Sequence, residues 1–161
     1  MKILKTYISL FLLSMIFFPA IGQNLQIKPV LEQYFQIKEA FVKSDAAIAS
    51  QEAKKMQSSL KGISDKKEET NILIKSIRED LEHIANYPDL NHQYTHFESL
   101  SESVRKLVKL NGTGGQEVYV QYCPMAFNNK GGSWLSAQKE IRNPYFGNKM
   151  LKCGSVKETL R

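Results

Sequence analysis

Two short motifs near the C-terminus carry sulfur at spacings that could do chemistry. Cys123-x-Met125 lies within Tyr119-Val-Gln-Tyr-Cys-Pro-Met-Ala-Phe127, and Met150-x-x-Cys153 lies within Asn143-Pro-Tyr-Phe-Gly-Asn-Lys-Met-Leu-Lys-Cys-Gly154. Together they hold both cysteines and two of the five methionines. On a strand, residues two apart point to the same side, so Cys123 and Met125 would share a face. On a helical turn, residues three apart are neighbours, and Met150 and Cys153 would share one as well. Where the two segments meet, four sulfurs would converge. Thiolate and thioether ligands select soft ions such as Cu(I). Zinc takes thiolate and imidazole and makes little use of methionine. The candidate site is therefore a copper or silver site formed by Cys123, Met125, Met150 and Cys153.

The same cysteines admit other readings. A Cys123–Cys153 disulfide would close a loop of about 30 residues and contribute about 3.5 kcal/mol in the chain-entropy model. It would staple a glycine-rich segment that has little core of its own. Two buried free thiols are a further possibility, and the methionines have an ordinary role as core filler. A redox nucleophile at Cys123 lacks the Cys-x-x-Cys partner such sites use, and would need a depressed thiol pKa.

Histidine offers a second ligand source. His92 and His96 are four apart and share a side of a helix, where such a pair can bind a divalent metal. His96 flanks the apolar arc of its segment, within reach of a packed C-terminal segment, and His92 lies further out. His83 falls off its apolar stripe and reads as a surface residue. Tyr119, Tyr122, Phe127, Trp134, Tyr145 and Phe146 crowd the sulfur motifs. They could shield a thiolate site from water or dock the segment on its neighbours.

The elements that must position these residues are mostly helical. Pro29 opens a periodic segment through Leu31, Tyr34, Phe35, Lys38, Phe41 and Val42. Ser44 and Asp45 cap a second helix or bend a longer one, and its stripe is Ile48, Ala49, Ala53, Met56 and Leu60, stopped by Gly62. Thr70 is the expected cap of a third helix, striped by Leu73, Ile74, Ile77, Leu81, Ile84 and Ala85. Asp89 caps a fourth, with Leu90, Gln93, Phe97, Leu100, Val104, Leu107 and Val108 on one arc. Asn111-Gly-Thr-Gly-Gly115 is a linker. Val118, Val120 and Tyr122 then alternate as a strand. Ser133 to Gln138 is a second short strand, and Asn148 to Cys153 one helical turn. The expected fold is mainly α: an antiparallel bundle of three or four helices with a small irregular α/β C-terminal segment, residues 116–161, packed on it.

Residues 1–22 read as a secretory signal. Lys2 and Lys5 are followed by an apolar run from Tyr7 to Phe18, and Ala20-Ile-Gly22 supplies small residues at the cleavage positions. Cleavage before Gln23 leaves residues 23–161 as one helical domain in an oxidising space, periplasmic or secreted, where disulfides persist. No second apolar run is long enough to span a bilayer. The formal charge of +6 comes without a Lys/Arg tract interleaved with aromatics, so nucleic acid is not an expected partner. No Gly-x-Ser-x-Gly, phosphate loop or His-Glu-x-x-His occurs, and no catalysis is expected.

Tyr122-Cys-Pro-Met-Ala-Phe127, Trp134 and Ile141-Arg-Asn-Pro-Tyr-Phe-Gly-x-x-Met-x-x-Cys-Gly154 resemble an uncharacterised domain family of bacterial cell-envelope proteins. The helical part resembles it through Tyr34-Phe35 to Asp45 and His96-Phe-Glu-Ser-Leu-Ser101. The family occurs as small secreted proteins and as an extension of periplasmic adaptor subunits of copper/silver-type efflux pumps. The resemblance implies Cu(I) or Ag(I) handling, with Cys123, Met125, Met150 and Cys153 as the motif sulfurs and His96 as the motif histidine. It also implies a metal efflux component as partner, met in trans because residues 23–161 hold no adaptor portion. The leading expected function is soft-metal sequestration or transfer; the alternative is a disulfide-stapled structural or adaptor module that binds another envelope protein through its C-terminal aromatic surface.

Overall fold

The computed structural model describes residues 26–61, 63 and 65–161. The expected signal at 1–22 and the stop at Gly62 lie outside the described residues. Among the described residues no helix is long and apolar enough to cross a membrane.

Four helices follow one another: α1 (Ile27–Val42), α2 (Ala46–Leu60), α3 (Glu68–Asn86) and α4 (Leu90–Asn111). Pro29 sits within the first turn of α1, where a backbone N–H has no helical partner to lose. Ser44 takes a positive φ of 55° and breaks the chain between α1 and α2, so these are two helices and not one bent one. Asp45 then caps α2 by accepting the Ile48 N–H at 2.9 Å. Asp89 caps α4 in the same way through the His92 N–H at 2.8 Å.

Thr70 does not cap α3. The helix starts two residues earlier, at Glu68, and Thr70 is buried with its hydroxyl unpartnered. The preceding loop closes on Asn71 instead. Asp65 N–H donates to Asn71 Oδ1 at 2.8 Å, Asn71 Nδ2 donates to the Asp65 carbonyl at 2.9 Å, and the Asp65 carboxylate accepts the Lys67 N–H. That exchange fixes the entry without a threonine.

The helices bury most of the stripe their spacing dictates; Ile48 of α2 is the exception, 42% exposed, and Phe35, Leu73 and Leu90 are only partly buried. Leu31, Tyr34, Ile37 and Phe41 of α1 meet Ala49, Ala53, Met56 and Leu60 of α2, Ile74, Ile77, Leu81 and Ile84 of α3, and Phe97, Leu100, Val104 and Leu107 of α4 in one core. Consecutive helices pack side by side. Ala49 and Ala53 of α2 are fully buried, as close helix approach requires. Met56 is ordinary core packing.

After Gly112 the chain forms a three-stranded antiparallel sheet in the order β2-β1-β3, from β1 (Val118–Cys123), β2 (Gly132–Ser136) and β3 (Ser155–Leu160). The central strand β1 pairs Val120 with Leu135 and Gln121 with Trp134 on one side, and Val118 with Leu160 and Tyr122 with Ser155 on the other. β3 was not expected; its side chains are at most half-buried along its length. The expected helical turn over 148–153 is a short 3-10 turn, Gly147–Lys149, followed by Met150 in a non-helical conformation.

The sheet joins the helical core. Trp134 and Leu135 are buried among the helix residues, and Trp134 Nε1 donates to Gln121 Oε1 at 2.7 Å. Tyr145 contacts Tyr94 and Phe97 of α4 as well as Phe127 and Trp134. The aromatics around the sulfur motifs thus dock the C-terminal segment on the bundle. Ion pairs extend the contact: Arg142 with Glu39 of α1 at 2.7 Å, and Lys109 of α4 with Glu158 of β3 at 2.7 Å.

Candidate functional site

The register of β1 against β3 sets the geometry of the cysteines. Tyr122 lies opposite Ser155, so the end of β1 at Cys123 reaches the residues that lead into β3. Cys123 Sγ and Cys153 Sγ are 2.7 Å apart. The two sulfurs are not bonded, yet they lie only slightly beyond a covalent S–S bond of about 2.05 Å, within easy reach of disulfide closure. Asn143 holds the second segment in place. It accepts the Tyr145 N–H at 2.8 Å, and its Nδ2 donates to the Cys153 carbonyl at 2.9 Å. Gly154 has a φ of 142°, and a Cβ there would sit 2.9 Å from the Tyr122 carbonyl. The approach that brings the sulfurs together therefore requires a glycine.

Cys123 is fully buried and Cys153 partly so. The hydrogen bond from Cys123, reinforced by burial, pushes the Cys153 thiol up to about 11. A redox nucleophile needs the opposite shift.

The methionines are placed differently from each other. β1 ends at Cys123, so the two-residue alternation stops before Met125. Met125 is 48% exposed and lines an open groove with Asn91, Tyr94, Phe127, Tyr145 and Phe146. Beside it, Phe127, Asn128 and Asn129 all take positive φ values, a run held by local hydrogen bonds such as Gly131 N–H to the Ala126 carbonyl and by the packing of Phe127 on Tyr145. Met150 stays close to its cysteine, since the Cys153 N–H donates to the Met150 carbonyl at 3.0 Å. A turn thus keeps the Met150 and Cys153 backbones adjacent, while Met125 faces the groove.

His96 turns to α3, and its hydrogen-bond partner is there rather than in the C-terminal segment. Its Nδ1 is 3.0 Å from Asp80 Oδ1. Its ring stacks on His83 with centroids 3.9 Å apart and planes 5° from parallel. His83 is half-buried on this seam rather than a surface residue, and its Nδ1 lies 3.2 Å from His92 Nε2. One ligand nitrogen from each of His83, His92 and His96 falls within 4.8 Å of the others. Sequence spacing supplied the His92/His96 pair. It could not supply His83, because the meeting depends on how α3 and α4 are rotated against each other.

The chain belongs to the family described as protein of unknown function DUF3347, whose model matches residues 30–116. The match runs from the first turn of α1 to the approach of β1. It includes the three histidines and stops short of both sulfur motifs. No curated protein and no solved structure matches the chain.

Proposed function

We propose that the protein binds a soft monovalent ion, Cu(I) or Ag(I), at the Cys123–Cys153 pair in the bacterial cell envelope, and sequesters it or hands it on. The observation that carries this reading is that two cysteines 30 residues apart in sequence meet side by side, their sulfurs 2.7 Å apart; sharing one ion at about 2.3 Å per bond would require them to separate to roughly 3.7 Å. Two thiolates are a natural ligand pair for a soft cation, and the thioether of Met150 lies on the turn that carries Cys153. Met125, exposed at the neighbouring opening, suits a transient ligand on the way in or out. The elevated pKa of Cys153 means that loading displaces a proton, so binding strengthens as pH rises. His96 is held by Asp80 and His83 and is left out of this ligand set. The envelope location rests on the leader expected at 1–22 and on the family resemblance, and a metal efflux component is the partner that resemblance favours.

The same sulfur contact favours a second reading. Oxidation would give a disulfide-stapled module that presents the groove around Met125, Phe127 and Phe146 to another envelope protein.

A Cu(I) competition titration of the reduced protein against a chromophoric chelator, without oxygen, separates the two. The metal reading expects one Cu(I) per chain, with at least 100-fold weaker binding in Cys123→Ser/Cys153→Ser and a smaller loss in Met150→Leu. Wild-type affinity in the double cysteine variant would overturn it. Failure to compete with the chelator leaves the stapled module.

A further inference from the structure

We infer that α3 and α4 carry a second, separate metal site, formed by His83, His92 and His96, for a borderline divalent cation such as Zn(II) or Cu(II). The inference does not depend on the cysteine site.

All three histidines of the 161-residue chain converge here, from two helices. His92 and His96 are one turn apart on α4, and His83 reaches them from α3 across a connection of three residues, Tyr87 to Asp89. The placement is therefore set by helical backbone rather than by a loop. His83 Nδ1 and His92 Nε2 face each other at 3.2 Å. Two nitrogens bound to one tetrahedral ion at about 2.05 Å would sit about 3.3 Å apart, so the spacing suits an ion, which would displace the proton these two nitrogens share in their hydrogen bond. His96 has the partner that metal-bound histidines commonly have. Its Nδ1 faces the Asp80 carboxylate at 3.0 Å, which must accept a proton from it, leaving Nε2 with its lone pair for the ion. Asp80 is itself buried, and its second oxygen has no hydrogen-bond partner. A buried acceptor with capacity left over is matched to a cationic centre beyond the imidazole.

The parallel stack of His83 on His96 is not yet a coordination geometry, because both lone pairs lie in the ring planes. Binding requires the rings to tilt apart. Both are only half-buried, so the movement is confined to side chains. Tyr87 closes one flank, with its ring 5.6 Å from His83 and 5.0 Å from His92. Three imidazoles with no fourth protein ligand beside them among the described residues leave a position for water or for a ligand from a partner. Imidazole donors suit Zn(II), Cu(II) and Ni(II) better than the hard ions, and Cu(II) should bind the tightest of these.

The test is a Zn(II) titration, repeated with Cu(II), of the untagged full chain against a competing chelator. The expected result is one ion per chain, with at least a 10-fold loss of affinity in each of His83→Gln, His92→Gln and His96→Gln. Asp80→Asn, which acts on the metal through His96, should weaken binding about 10-fold with an unchanged helical spectrum. In an NMR titration with Zn(II), the imidazole signals of all three histidines should move together. Wild-type affinity in His83→Gln would reduce the site to a simple pair on α4 and overturn the proposal. So would absence of one-to-one binding. Cys123→Ser/Cys153→Ser should bind Zn(II) as the wild type does, so this site and the Cu(I) site can fail independently.

Discussion

At the scale of single residues, Tyr34 does most to join the parts. Ser101 Oγ lies 2.6 Å from the Phe97 carbonyl, which can only accept, so the serine proton goes there. Tyr34 Oη, 2.6 Å from Ser101 Oγ, must then donate to the serine and accept the Leu135 N–H at 3.0 Å. One phenol completes a chain from α1 through α4 to β2. Tyr34→Phe should cost about 1–3 kcal/mol at neutral pH, because it orphans a buried backbone donor. Burial raises the Tyr34 pKa, so the folded protein keeps the proton after the unfolded chain has lost it. Its contribution is therefore complete below about pH 10 and declines as pH rises further. Urea unfolding between pH 7 and 11 should show a shallower alkaline decline in Tyr34→Phe. Some slope remains, because Tyr145 is raised by burial as well. The sequence marked Tyr34 as a core residue by its spacing. Its hydrogen bonds were not legible there, since both partners are far away in the chain.

At the scale of elements, helices were the easier part to read, because a 3.6-residue stripe and a capping aspartate are local signals. Asp45 and Asp89 are the clearest cases. Asp89→Ala should lower stability by about 1 kcal/mol, measured by urea denaturation, because the His92 N–H loses its acceptor. Thr70 misled because a threonine near a helix start is a good cap only when no other group closes the entry. Here Asp65 and Asn71 already do so. β3 is hard to read because Ser155-Val-Lys-Glu-Thr-Leu160 is an edge strand whose inner face, Val156, Glu158 and Leu160, is only half-buried and carries a glutamate, which breaks the apolar alternation. The sulfur motifs were legible as motifs. Whether alternation continued past Cys123 was not, since Pro124 and the left-handed run at Phe127 to Asn129 turn the chain away.

At the scale of the molecule, the cysteine contact links two points 30 residues apart within the last third of the chain. Mild oxidation should form the Cys123–Cys153 bond without moving the backbone far, and the closed loop should add about 3.5 kcal/mol in the chain-entropy model. Thermal melts of the oxidised and fully reduced protein test this, and equal midpoints would show that the pair is not a staple. The two candidate metal sites differ in the same sense. One rests on the sheet and its register; the other rests on the packing of two helices and lies within residues 30–116, the family's matched segment. The sequence could assign the chemistry of each residue type, but the grouping of His83 with His92 and His96, and of Asp80 behind them, needs the three-dimensional arrangement.

The contact between Tyr34 and Leu135 spans 101 residues. A chain made from its N-terminus completes α1 to α4 well before β2 exists. During that interval the helices hold a phenol oxygen, and apolar surface around it, facing a partner not yet synthesised. Long-range closures of this kind are slow compared with helix formation. The helical portion would therefore be the part most exposed to premature association during synthesis, and the arrival of Leu135 and Trp134 would be the event that ends that exposure.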